Sequence, residues 1–220
     1  MIQRINSFLS KEGYTISKVE RKDLNNFTIS VFKKRNNINP FEKIGEWVNN
    51  KEADKYLSVG DKIYIPELKI PENKSLGIEY KTLKNVEVNV ISVLPNKVLF
   101  NFEDCLFSSC MDEEVKYKTF EETSLFNYLN NEFICELVQA IQKNPTSCSL
   151  LSKENIKNME FFSKTKNRIK TLNNETFGWW LSSGCDLSGS YNFAYVNILG
   201  NFYYHTASYV HGCSPAFYIG

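Results

Sequence analysis

The last 44 residues, Phe177 to Gly220, hold a single charged side chain, Asp186, yet carry 12 of the chain's 31 aromatic residues and both of its histidines. A stretch this poor in charge is either buried, or spans a membrane, or forms a contact surface. Gly, Ser, Asn and Pro interrupt it well short of the ~18 consecutive apolar residues a membrane span needs, so membrane insertion is excluded. The pattern fits short strands instead: Trp179-Trp180-Leu181, Phe193 to Val196, Asn201 to Tyr204 and Ala216 to Ile219, with turns at Gly184, Gly189, Gly200 and Gly212. Alternation along a strand then sorts side chains to two faces; if Ala194 and Val196 point inward, Phe193 and Tyr195 point outward. Tyr191, Tyr203 or Tyr204, Tyr209, His205 and His211 exceed what such short, glycine-punctuated strands bury. Tyrosine offers large rigid contact area with few torsions to freeze, and the neighbouring Ser and Asn offer adaptable hydrogen bonds. An aromatic-rich β core is the other reading, and composition alone leaves both open.

The rest of the chain is ordinary for a globular protein, with 42% hydrophobic and 23% charged residues in 220. That length suits one domain with room for an attached second. A net charge of +1 gives no electrostatic case for nucleic acid. Lys outnumbers Arg 22 to 4 and there are 25 Asn, a bias toward adenine-rich codons that suits an AT-rich bacterial or phage genome. The N-terminus lacks an uninterrupted apolar stretch before Lys11, so no signal peptide is expected. Six scattered cysteines read as free thiols in a reducing cytosol. Cys105 and Cys110 with His205 and His211 lie outside the usual zinc spacings, so neither metal nor other cofactor is expected.

Charge is unevenly spread: residues 1 to 50 hold 9 basic and 5 acidic side chains, and residues 51 to 220 hold 17 and 20. This shift suggests a boundary between Lys51 and Val59, with a small helix–hairpin–helix module over residues 1–50. In it, Ile2, Ile5, Phe8 and Leu9 have helical spacing. Tyr14 to Val19 and Phe27 to Phe32 alternate as strands about Asn25-Asn26. Pro40 opens a helix with Phe41, Ile44, Trp47 and Val48 on one face. The run Lys33-Lys34-Arg35 reads as a solvated hairpin end. Farther on, Ser58 to Pro66, Val86 to Val93 and Lys97 to Phe102 read as strands, the last two turning at Pro95-Asn96. Leu125, Leu129, Phe133, Leu137 and Ile141 mark a long helix from Phe120 to Ile141, with Thr119 and Glu122 as a capping box. Ser152 caps a shorter helix carrying Ile156, Met159 and Phe162. Residues 163 to 176 read as polar and irregular.

Phe177-Gly-Trp-Trp-Leu-Ser-Ser-Gly, Ala194-Tyr-Val-Asn and Gly212-Cys-Ser-Pro-Ala-Phe-Tyr-Ile together resemble a family of bacterial and phage domains of unknown function. The C-terminal pattern of that family runs W-W-L-R-S-P-G, then A-Y-V, then G-V-R-P-A. The similarity extends over residues 57–220, through Val59-Gly-Asp-Lys-Ile63, Ser124 to Phe133 and Leu150 to Glu154. The resemblance implies a C-type-lectin-like fold, as used by formylglycine-generating enzymes and by the variable proteins of diversity-generating retroelements. The fold class is thus expected to be α+β, a C-type-lectin-like domain over residues 57–220 with a small N-terminal α/β module. The resemblance further implies a ligand-binding surface between Trp180 and Pro215. Ser182 and Cys213-Ser214 replace the family's arginines, a loss of charge compatible with a diversified surface.

Three function classes follow. The leading expectation is a non-enzymatic receptor-binding protein or adhesin at a phage tail tip or related particle. It would contact a host-surface protein or glycan through Trp180, Ser182, Tyr191, Phe193, Tyr195, Tyr203, Tyr204, His205, Tyr209 and His211, and dock to particle assembly proteins through residues 1–50. A homo-oligomer is expected, with a virion location after synthesis in the bacterial cytoplasm. The second class is enzymatic. Cys185 and Cys213 are the candidates for cysteine oxidation, but nothing beside either lowers a thiol pKa. His205 and His211 have no acidic orienter nearby in sequence. The third class is a structural virion subunit whose aromatic tail lies between copies; an exposed aromatic patch separates the first class from it.

Overall fold

A computed structural model describes residues 14–21, 27–33, 39–114, 119–185 and 191–220 of the 220-residue chain. The chain divides into two units, Met1–Asn39 and Pro40–Gly220. In the first, β1 (Tyr14–Arg21) pairs antiparallel with β2 (Phe27–Lys33), the two strands expected from alternation. The helix expected over residues 2 to 11, the Asn25-Asn26 turn and Lys34-Arg35 of the basic run lie outside the described residues.

The second unit is mixed α+β, dominated by two five-stranded sheets. It opens with α1 (Pro40–Asn49) and α2 (Ala53–Tyr56). Phe41 packs on Phe100 and Phe217 at ring distances of 5.6 and 6.1 Å, and Ile44 and Val48 join the same core. The boundary expected between Lys51 and Val59 therefore moves to Asn39/Pro40. A change in net charge describes a surface, whereas an apolar helical stripe determines what the helix packs against.

One sheet takes the order β3 (Lys62–Ile70), β4 (Lys81–Leu94), β5 (Lys97–Phe102), β14 (Ala216–Ile219), β7 (Ser147–Ser149), all antiparallel. The other takes the order β12 (Phe202–Thr206), β11 (Asn192–Val196), β10 (Trp179–Gly184), β13 (His211–Cys213), β6 (Phe107–Ser109). Its β10–β13 pairing is parallel, through Trp179 and Gly212. The polar stretch read as irregular holds a hairpin, β8 (Lys170–Leu172) and β9 (Glu175–Phe177). Asn173 and Asn174 turn it in left-handed conformations, which Asn adopts more readily than most residues. Among the described residues no helix is long and apolar enough to cross a membrane.

The long helix is interrupted twice, and each break has a local cause. Phe120–Glu122 is a single 3-10 turn with the expected Thr119/Glu122 capping box. The buried Thr123 hydroxyl then donates to the Phe120 carbonyl and accepts from the Phe126 N–H, ending that turn and starting α3 (Ser124–Tyr128). A π turn, Leu129–Phe133, joins α3 to α4 (Ile134–Ile141). Leu125, Leu129, Phe133, Leu137 and Ile141 recur every four residues, and an unbroken α-helix would rotate that row by about 40° per repeat. The wider π turn takes up the drift, and all five side chains are fully buried. Ser152 caps α5 (Lys153–Asn158) as expected, its hydroxyl accepting from the Asn155 N–H.

Adjacent residues of β10 serve two cores. Trp180 joins the larger cluster, with Phe41, Phe100, Phe133 and Phe217, while Trp179 joins a second with Leu99, Ile156, Phe162 and Val196. Each indole N–H has its own acceptor, the Arg168 carbonyl for Trp179 at 2.8 Å and the Ser109 carbonyl for Trp180 at 2.9 Å. The buried Lys170 amine donates to the Phe102 and Glu103 carbonyls and lies 5.0 Å above the Trp179 ring. Burial lowers its pKa to about 8.

The segment Gly212 to Pro215 is interior, which corrects its expected place on a contact surface. Cys213 and Ser214 are fully buried. The Ser214 hydroxyl donates to the Phe102 carbonyl, and Asn101 Nδ2 donates to the Ser214 and Pro215 carbonyls. Gly212 is a strand residue rather than a turn, and it packs directly on Cys105: an added Cβ would overlap Cys105 Sγ and come within 2.9 Å of its Cβ. Gly212→Ala is expected to lower unfolding stability by about 2 kcal/mol through overpacking, read as a lower urea midpoint with an unchanged slope.

Candidate ligand-binding face

Five of the residues singled out in the sequence converge on one side of the second sheet, over a sixth. The β11–β12 register sets Tyr195 opposite Tyr203 and Phe193 opposite His205, so these four share a face. His211 enters from β13, on the far side of β10, and stands edge-on against the Trp180 ring at 4.5 Å. It stacks on Tyr195 at 4.1 Å and 15°, and His205 stacks on Tyr195 at 4.5 Å. Tyr209, from the turn after β12, tilts over His205 at 4.4 Å, and Tyr203 lies 6.1 Å from Tyr195. Gly178 makes room for this packing, since a Cβ there would approach His211 Nδ1 to 3.2 Å and the Val196 carbonyl to 3.3 Å.

The two imidazoles are hydrogen-bonded to each other, His205 Nδ1 to His211 Nε2 at 2.8 Å. One ring donates and the other accepts, so the pair holds its geometry with both rings neutral, and a further proton on the accepting nitrogen breaks the bond. Burial against Trp180 and Tyr195, reinforced by repulsion from His205, lowers the His211 pKa to about 4. Burial also raises the Tyr195 hydroxyl pKa, with Tyr203 adding to it. His211 and Tyr195 are thus uncharged at neutral pH. Among the described residues no carboxylate hydrogen-bonds either imidazole.

The other expected contact residues are distributed differently. Trp180 and Phe193 are buried, 0% and 1% exposed, so neither meets a ligand directly; they support the face from beneath. The alternation that sends Phe193 outward assumes a sheet wetted on one side, whereas this sheet is packed on both. Ser182 is half-buried and gives its N–H to the Leu151 carbonyl. Tyr191 is exposed at the entrance to β11. Tyr204 projects from the opposite face of β12, where Lys153 Nζ donates to its hydroxyl at 3.0 Å and lies 4.8 Å above its ring. Sequence reasoning misses Lys153, because its partner is 51 residues away and nothing local signals the contact.

All six cysteines are free. Burial pushes the thiols of Cys105 and Cys148 up to about 12 and raises that of Cys213 well above the ordinary thiol range, so Cys213 is a poor source of the thiolate a cysteine-oxidising centre requires. Among the described residues no three His, Cys, Asp or Glu side chains converge on a point, and the Cys105, Cys110, His205, His211 set does not assemble. Two open cavities, of about 460 and 400 Å³, lie apart from the ring face. The first is lined by Lys81, Asp104 and Asn174 among others, the second by Lys62, Glu103 and Lys164.

The depressed His211 pKa has a defined sign. Between about pH 6.5 and pH 4 the unfolded chain binds a proton at this position that the folded chain does not, so stability falls as pH falls through that window. At a half-buried ring, solvent screening reduces the effect to about 1–2 kcal/mol. Thermal unfolding midpoints are expected to drop across this window in the parent chain, and the slope to flatten in His211→Phe, which keeps the stack without the titration. No family model matches the chain, and neither the curated proteins nor the solved structures contain a match to it.

Proposed function

We propose that this chain is a non-enzymatic ligand-binding protein that engages its target through the ring face of β11, β12 and the turn leading into β13. The observation that carries the reading is the stack of Tyr195, His205 and His211, with the buried Trp180 against His211 and the exposed Tyr203 and Tyr209 beside it. Preorganised rings lose little conformational entropy on binding, and they offer flat apolar surface with polar edges. Tyr191, Ile198, Leu199 and Val210 are also exposed in the same stretch of chain.

The resemblance of Phe177 to Gly184 and Gly212 to Ile219 to bacterial and phage domains supports a C-type-lectin-like scaffold, with which the mixed α+β architecture is compatible. On this reading the protein is a receptor-binding component of a phage tail tip or related particle. Its partner is a host-surface protein or glycan, and the β1–β2 unit is the part that docks to the assembly. Retroelement diversification, if the gene undergoes it, is expected at Tyr191, Tyr203, Tyr204, Tyr209 and their exposed neighbours. It is not expected at Cys213 or Ser214, whose side chains are interior.

The test pairs a panel of intact bacterial strains and immobilised glycans with the labelled protein and its Tyr203→Ala/Tyr209→Ala variant. Binding to at least one strain or glycan is expected, weakened by about tenfold or more in the variant, while the thermal midpoint moves by no more than a few degrees. Undiminished binding by the variant overturns the assignment of this face.

A further inference from the structure

We infer that two copies of this chain associate edge to edge through β12, joining their second sheets into one continuous sheet across a two-fold axis. The inference is independent of what the ring face binds.

An exposed sheet edge is a template for pairing, and proteins ordinarily blunt it with charge, proline, bulges or shortness. Three of the four edges of the main sheets follow this rule. β3 contains Pro66 and carries Lys62, Glu67 and Lys69, while β6 and β7 are three residues long. The fourth edge, β12, does not. It is five residues, Phe202-Tyr-Tyr-His-Thr206, without a charged side chain or proline, and it pairs with β11 over its whole length without a bulge.

The ladder shows which backbone groups are available. Ala207 N–H donates to the Tyr191 carbonyl and Asn197 N–H to the Asn201 carbonyl. In the same antiparallel register, bonded pairs alternate with non-bonded ones, so Tyr195–Tyr203 and Phe193–His205 are the bonded pairs between them. Phe202, Tyr204 and Thr206 therefore direct their N–H and C=O groups away from β11. The Thr206 carbonyl receives the Tyr209 N–H. Among the described residues, the outward groups of Phe202 and Tyr204 meet no strand.

A second copy fits this edge better than an arbitrary strand because the strand is self-complementary. With antiparallel pairing centred on Tyr204, the Tyr204 backbone bonds its counterpart, Phe202 faces Thr206 of the other copy, and Tyr203 faces its His205. Tyr203 and His205 would form a non-bonded pair, the arrangement in which cross-strand side chains are closest. Each row of rings would then run without interruption from Tyr195 and Tyr203 of one copy to His205 and Phe193 of the other. No like charges oppose each other within the strands. The neighbouring Lys153, on the Tyr204 side, is long and exposed enough to turn into solvent. Tyr203 and Tyr204, now 52% and 37% exposed, would be partly covered. A five-residue strand pair is small for an interface, so the dimer is a weak one, with a Kd on the order of tens of micromolar.

Sedimentation over a concentration series tests this, together with amide hydrogen exchange. The parent chain is expected to show a monomer–dimer equilibrium, and exchange at the Tyr204 amide to slow as concentration rises. Tyr204→Pro removes an outward N–H without removing a β11 bond, and proline is tolerated on edge strands. It is expected to weaken association by about tenfold or more. A parent chain that remains monomeric at about 500 µM overturns the inference, since that lies well above the expected Kd. So does a Tyr204 amide whose exchange is independent of concentration, or a folded Tyr204→Pro that dimerises as well as the parent. If Tyr204→Pro does not fold, the exchange measurement on the parent chain decides.

Discussion

The two tryptophans of β10 are the constraint on which the rest of the second unit depends. Neighbouring residues of a strand point to opposite faces, so Trp179 and Trp180 drive one strand into two cores at once. Each fully buries a large ring and satisfies its indole N–H on a different carbonyl, which fixes β10 in position and rotation. β13 then pairs beside β10 in parallel, β11 pairs on its other side, and the chain's last strand returns between β5 and β7 to close the first sheet.

The ring face follows from that arrangement. Trp180 lies in the larger core and packs perpendicular to His211, so the imidazole is partly desolvated and held neutral. A neutral His211 is free to share a proton with His205, and both stack on Tyr195. The result is a rigid apolar surface with polar rims, without the carboxylate–imidazole pairing from which acid–base catalysis is usually built. On the function proposed above, this face would be the surface that meets the target.

Much of this was legible from residue order. The strands at Tyr14, Phe27, Val86, Lys97, Phe193 and Ala216 announce themselves by alternation, and the Thr119/Glu122 and Ser152 caps by residue type. The convergence of Tyr195, Tyr203, His205, Tyr209 and His211 was foreshadowed by a charge-poor, tyrosine-rich tail. What local pattern did not convey were matters of partnership. Whether Phe193 is inside or outside depends on the sheet having a second packed face. Whether α1 belongs with the hairpin before it or the core after it depends on Phe100 and Phe217, about sixty and one hundred and seventy residues downstream. The π turn was implicit in the four-residue spacing of Leu125, Leu129, Phe133, Leu137 and Ile141, but a spacing read as helical does not by itself say how the helix keeps one face inward.

The sequence alone determined an aromatic tail with a single charge, too interrupted for a long apolar helix to cross a membrane, because Gly, Ser, Asn and Pro punctuate it. It also determined the longer alternating strands, since alternation and turn chemistry act within a few residues, but not the three-residue strands β6, β7, β8, β9 and β13. The tertiary structure decided which aromatics are support and which are surface, placing Trp180, Phe193, Cys213 and Ser214 inside and Tyr203 and Tyr209 outside. Burial is a property of what lies across a sheet, and those partners come from segments distant in sequence, so no local pattern encodes it.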